Sequence, residues 1–341
     1  MSLSKDRIRQ LATCMLATTS LLSVTTQAQT QAQTQAQTQA QTQAFPNQPV
    51  KLIVPLTPGS GADIVARVLS KRLSEAWGQP VIVENRPGAG GQIGSQVVAK
   101  APADGYTLLV QSSSHAANPA IYKKLPYDPT QDFIDVALLA TTPYVMLGST
   151  EGPYKTVKDI IAAAKAKPKG EPFASAGIGT STHFTAEMFC QQAGIQMIHV
   201  PFKGSPDAIS DVAGGRSLFY MAPLPTIGGM IKAGKVAALA VTSAKRAASL
   251  PDVPALSEQG FAGFDLTLWF GLWAPAGTPA AIVSKLAADF TAAIQSPEVQ
   301  EQYKKSGNES RLMTPAEFAA FVRSEMEANK NLVRLAGIQP E

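Results

Sequence analysis

Three times along this chain a short apolar run ends in a loop of Gly, Pro, Ser and Thr that opens a helix. The first is Val50-Lys51-Leu52-Ile53-Val54, then Pro55-Leu56-Thr57-Pro58-Gly59-Ser60-Gly61-Ala62-Asp63, then an amphipathic run from Ile64 to Leu73. The second is Pro172-Phe173-Ala174-Ser175, the loop Ala176 to Thr182, and a helix from Phe184 to Ala193, with Ser181 or Thr182 as its natural N-cap. The third is His199-Val200-Pro201-Phe202, then Lys203-Gly204-Ser205-Pro206-Asp207. A strand that feeds a helix through a glycine-rich turn gathers backbone N–H groups at the positive end of a helix dipole, which suits an anion without any Arg or Lys. An ordinary βα connection looks the same, so one such loop decides little and their recurrence decides more.

The rest of the chain fills in an α/β pattern. Pro80 to Glu84 reads as a strand, Asn85 to Gly91 as a tight structural turn, Ile93 to Ala101 as a helix, and Tyr106 to Val110 as a third strand ending in the hydroxyl-rich loop Gln111 to His115. Strands alternating with helices predict a mostly parallel sheet, with ligands at the carboxyl ends of the strands. Phe133 to Ala140 continues as an apolar run through Tyr144 to Leu147, and a second α/β half follows. Leu266 to Ala274 returns as a strand, ahead of helices at Pro279 to Ile294 and Thr314 to Ala336. The crossings near Tyr144 and Leu266 predict a discontinuous first lobe, 45–143 with 267–341, and a second lobe, 144–266.

The amino terminus has a different character. Lys5, Arg7 and Arg9 precede an apolar stretch from Leu11 to Val24, and Thr26-Gln27-Ala28 fits a cleavage site, so residues 1–28 read as a secretory signal peptide. Its loss removes three cations and one anion from 29 and 25, leaving +2, which gives no basis for nucleic-acid or membrane binding. Residues 29–44, almost wholly Gln, Ala and Thr, have nothing to bury and read as a disordered linker. The mature chain keeps one cysteine, Cys190, which excludes an internal disulfide and reads as a buried small hydrophobe.

Enzyme chemistry finds little purchase. Gly88, Gly90 and Gly94 fit only a loose dinucleotide pattern, and Arg86-Pro87 interrupts its geometry. Gly59-Ser60-Gly61 lacks the Lys of a P-loop, and no nucleophile elbow is present. His115, His183 and His199 are far apart and without a metal-ligand spacing, so each reads as structural, though His183, in the first turn of a helix, is placed to touch a ligand. No catalytic residue, metal or cofactor is expected.

With these loops in view, the chain resembles the Bug (TctC-like) family of extracytoplasmic solute receptors from Phe45 to its end. The residues that carry the resemblance are Ile53-Val54-Pro55 with Pro58-Gly59 and Asp63, Val83 to Gly91, Asp104 to Leu109, Asn118-Pro119-Ala120, Val200 to Gly204, and Ile231 to Lys235. The resemblance implies a type II periplasmic-binding-protein fold, two lobes around a ligand cleft with hinge crossovers, and capture of a small mono- or dicarboxylate in the periplasm. It implies a first jaw of Leu56, Thr57, Pro58, Gly59, Ser60 and Asp63, flanked by Ser112 and Ser113. Gly179, Thr180, Ser181 and Thr182 would be the second jaw, with Lys203 and Gly204 at the rim. Asp63 would meet a ligand amine or hydroxyl, or cap its own helix. Ser60 stands where the family usually has glycine, and Phe219 to Pro223 lacks the usual polar residue, both of which bear on ligand choice. The implied partners are the carboxylate and membrane subunits of a tripartite tricarboxylate transporter, with the chain a monomer. An exported α/β enzyme acting on a carboxylic acid through His183 and Asp63 is the alternative, and a sensory co-receptor for a membrane kinase is a third reading.

Overall fold

The computed structural model describes residues 45–168 and 170–336. The expected signal peptide and the linker of residues 29–44 lie outside the described residues. From Gln48 onward the chain forms one compact unit. Its strands are β1 (Val50–Val54), β2 (Val81–Asn85), β3 (Thr107–Ser112), β4 (Phe133–Ser149), β5 (Pro172–Ser175), β6 (Ile198–Pro201), β7 (Tyr220–Pro223), β8 (Val236–Val241) and β9 (Thr267–Pro275). Its helices are α1 (Gly61–Trp77), α2 (Gln92–Ala99), α3 (Ser114–Ile121), α4 (Val157–Ala166), α5 (Ser181–Ala193), α6 (Ser205–Ala213), α7 (Gly228–Lys232), α8 (Ala280–Gln295), α9 (Pro297–Ser306) and α10 (Pro315–Ala336).

The sheet runs β2-β1-β3-β9-β4-β7-β5-β6, with β8 also on β4. It is mixed, not mostly parallel: β9 lies antiparallel to β3 and β4, and β4 lies antiparallel to β7 and β8. Between the strands, parallel pairing joins β1 with β2 and β3, and β5 with β6 and β7. The expectation failed because βα alternation predicts the parallel units at each end, whereas β4 and β9 are the long strands that join them, and a returning strand pairs antiparallel.

β4 changes partner partway along. Phe133 to Pro143 pairs with β9, and from Tyr144 onward its partners are β7 and β8. Two apolar cores follow this division. One gathers Ile53, Leu109, Leu138, Trp269, Trp273 and Phe318, and the other gathers Val145, Leu147, Ala174, Ile209, Tyr220 and Val241. The buried indoles are large apolar bodies whose N–H groups need partners. Trp273 Nε1 donates to Asp135 Oδ1 at 2.7 Å and Trp269 Nε1 to Glu325 Oε2 at 2.9 Å. Cys190 is buried and unpaired, and burial pushes its thiol pKa far up, as suits a packing residue.

Candidate functional site

The first loop leaves β1 at Pro55 and turns at Gly59, whose φ of +80° lies in the left-handed region that favours glycine. Ser60 occupies the cap position of α1 but makes no side-chain cap bond, and Asp63 sits in the first turn. The Gly59 N–H and Arg67 Nε donate to Asp63 Oδ2 at 2.8 and 2.9 Å. Asn85 Nδ2 donates to Asp63 Oδ1 and to the Leu56 carbonyl, both at 2.9 Å. Asp63 is only 2% exposed, and both its oxygens serve to hold the loop in shape. Beside it, Arg67 is held above its ordinary pKa by the hydrogen bond and charge of Asp63. Leu56 and Ser60 are buried, Thr57 is half-buried, and Pro58 and Gly59 are exposed. Thr57 Oγ1 and Ser60 Oγ are buried without a hydrogen-bond partner.

Ser112 and Ser113 are not in a loop. Gln111 and Ser112 end β3, Ser113 precedes α3, and Ser114 opens it, so the expected hydroxyl-rich loop is a strand running directly into a helix. The Ser113 N–H donates to the Trp269 carbonyl at 2.9 Å, which locks this junction to β9. Ser112 Oγ donates to Ser114 Oγ at 3.0 Å, and Gln111 Nε2 is buried without a partner.

The second loop is largely self-bonded. Its cap is Thr180, one residue before the expected Ser181 or Thr182, with Oγ1 accepting from the His183 N–H at 3.4 Å and donating to the Gly177 carbonyl at 2.7 Å. Thr182 Oγ1 accepts the Ala176 N–H at 3.0 Å, and Ser175 Oγ accepts that of Gly177 at 3.0 Å. Ser175 Oγ also lies 2.6 Å from His199 Nε2. His183 and His199 are not apart in space: their rings stack with centroids 3.8 Å apart and planes 8° from parallel, and the Phe173 ring lies near both, 5.1 Å from His199 and 6.4 Å from His183. Burial, with the adjacent His183, lowers His199 to about 3, so it stands neutral as a brace for the loop.

The two sets of loops meet directly. The Ser181 N–H, at the start of α5, donates to Ser114 Oγ at 2.8 Å. Tyr122 donates its hydroxyl to the Ile178 carbonyl at 2.7 Å, and its phenol fits between Gly90 and Gly179, where any Cβ would collide with it. Gly204, buried just after the exposed Lys203, faces Thr57 so closely that a Cβ would overlap Thr57 Oγ1. A Cβ on Gly59 would come within 3.4 Å of Pro206 Cγ.

Beside these contacts is a cavity of about 190 Å³, walled by Leu56 and Gly88 to Gly91 on one side and by Ala176, Gly177, Ile178 and Pro201 to Lys203 on the other. Of the residues expected from the sequence, Leu56 and Lys203 reach its wall, while Thr57 and Gly204 abut one another next to it. Ser113 and Ser181 instead line a second cavity of about 150 Å³ with Tyr144, Thr185 and Glu325. Tyr144 is fully buried, and burial raises its hydroxyl to about 12. Sequence reasoning missed the Gly88–Gly91 wall, read as a turn alone, and missed Tyr122 altogether. A signal for the first existed: four consecutive residues, Gly88, Ala89, Gly90 and Gly91, have positive φ, which a run of small residues with three glycines permits. For Tyr122 there was none, since its role depends on a partner 56 residues away.

The family described as tripartite tricarboxylate transporter family receptor matches residues 65–338. Among solved structures, periplasmic binding protein BugD is 32% identical, with a TM-score of 0.82, covering 87% of this chain and all of its own. Rpa4515 of R. palustris, solved with adipate, is 32% identical with a TM-score of 0.84 over 87% of this chain and 100% of that one. MatC of Rhodopseudomonas palustris, solved with bound malate, is 30% identical with a TM-score of 0.80 over 85% of this chain and 100% of that one.

Proposed function

This chain belongs to the tripartite tricarboxylate transporter receptor family, and from that premise we propose that it captures a small mono- or dicarboxylate by closing two lobes on it, for uptake by a transporter of the tripartite tricarboxylate type. It is a solute-binding receptor of the TctC/Bug family, whose members are periplasmic binding proteins. Adipate and malate in two relatives support a carboxylate as the solute.

The observation that carries the reading is the cavity between the two groups of loops, with contacts across its rim. The lobes are 45–143 with 267–341, and 144–266, turning about the crossings near Tyr144 and Leu266. The first jaw is Leu56, Thr57, Pro58, Gly59, Ser60 and Asp63, flanked by Ser112 and Ser113. The second is Gly179 to Thr182 with Lys203 and Gly204. Within these jaws Asp63, Thr180 and Thr182 shape the loops, and Thr57, Ser60 and Lys203 supply donors. A solute that touches both jaws favours the closed form by its differential affinity for that form.

The test is thermal unfolding of the purified protein against mono-, di- and tricarboxylates. A ligand at ~100 times its dissociation constant raises stability by about 2.7 kcal/mol. A melting shift confined to carboxylates, with the acid recovered unchanged, is the expected outcome. Turnover of the acid would favour the enzyme reading instead, and a flat panel on ligand-free protein would defeat the carboxylate reading.

A further inference from the structure

We propose that α3 is the clasp of this receptor: Ser114, Asn118 and Tyr122, spaced four residues apart, grip the second loop at Ser181, Gly179 and Ile178 and hold the cleft shut. This rests on the two-lobe reading and adds to it what keeps the lobes together.

Residues one helical turn apart share a face, so these side chains form a row along α3 that ends on its C-terminal cap, Tyr122. Ser114 and Asn118 are buried. Ser114 Oγ accepts the Ser181 N–H at 2.8 Å. The Asn118 amide is satisfied at both ends when its oxygen accepts from the Tyr127 hydroxyl at 3.2 Å and its nitrogen donates to the carbonyls of Ser114 and Gly179 at 3.1 and 3.0 Å. Tyr122 completes the row on the Ile178 carbonyl at 2.7 Å. Ala117 and Ile121 of α3 pack with Phe184 of α5 beside it. On its own side the row is fixed by Tyr127 and by the bond from the Ser113 N–H to Trp269. The second loop is braced internally, Thr180 to Gly177 and Ala176 to Thr182, and presents its remaining groups to α3.

Ser114, Asn118 and Tyr122 are not among the residues that wall the cavity beside Gly88 to Gly91, so they act on a solute there only through closure. Every bond in the clasp runs from protein to protein, so it engages before a solute arrives. A carboxylate held between the jaws then adds to it.

The experiment is residue-resolved amide hydrogen exchange on the solute-free protein, wild type against Tyr122→Phe. The Ser181 N–H stands in the first turn of α5, where a helix offers no acceptor, so Ser114 Oγ is what protects it. Tyr122→Phe keeps the ring between Gly90 and Gly179 and removes only the hydroxyl, which bonds a different residue of the loop. The expected result is a protected Ser181 in the wild type and exchange there about three- to tenfold faster in the variant, with core N–H groups of β3 and β7 unchanged. A Ser181 N–H that exchanges freely in the wild type, or at the same rate in both proteins, would overturn the clasp. So would acceleration shared by β3 and β7, which marks lost fold stability instead. Succinate, malate and adipate are then added in turn. Slower Ser181 exchange with any of them supports solute-driven closure. No change with all three counts against the carboxylate reading, while the solute-free comparison still decides the clasp.

Discussion

Gly204 has no conformational need to be glycine, because its φ of 175° and ψ of 176° are extended backbone that any residue adopts. What it lacks is room, since Thr57 Oγ1 occupies the space a side chain would fill. Gly204→Ala should therefore leave each half folded and disfavour the closed form by about 1–3 kcal/mol, the range for overpacking a tight contact. Calorimetry should read this as roughly tenfold or greater loss of affinity for the acid that stabilises the wild type. Thr57→Gly in the same chain should restore part of it. Gly179 would be a poorer test, because its φ of +73° adds backbone strain to the collision with Tyr122.

At the level of elements, the three strand–loop–helix units were legible because their evidence is local: β-branched runs, glycine clusters and helical spacing lie within about twenty residues of one another. The cap of α5 was missed by one residue, since Thr180, Ser181 and Thr182 are chemically alike and only the backbone distinguishes them. α3 was hidden by its serines and by Pro119 inside it, both of which argue against a helix. The antiparallel run of β9 was invisible because Leu109 and Trp273, its partners in register, lie far apart in the chain. Asp63 was named among the site residues with capping as one of its two roles, and the sequence had no means to show Asn85 and Arg67 closing around it. Thr180 offers a direct check, since its hydroxyl serves both His183 and Gly177. Thr180→Ala should destabilise the fold by about 1–2 kcal/mol in denaturant titration, and Thr180→Ser should recover most of that.

For the whole molecule, two histidines tie stability to acidity. His115 is fully buried against Tyr127, Phe133 and Trp273, and burial lowers it to about 4; His199 is lowered to about 3. Both are neutral in the folded state and titrate near 6.5 when unfolded, so the unfolded chain binds more protons as pH falls below 6.5. Stability is full above that value and declines toward the folded-state pKa values. By pH 5 each histidine should account for about 2 kcal/mol of the loss. Melting curves between pH 7.5 and 5 should show the decline, and His199→Gln should make it shallower. A flat profile would mean that neither ring is held neutral.

β9 sits between β3 and β4, and its register joins Val110 to Leu272 and Leu138 to Gly271. The sheet around β1 and β3 therefore lacks its middle until residues near 270 exist, and closing so long a loop is slow. An emerging polypeptide with this order of strands must wait for the residues near 270 before that sheet can zip shut. Such delay keeps the nascent chain threadable, which is the state a protein must hold if it is to cross a membrane before it folds.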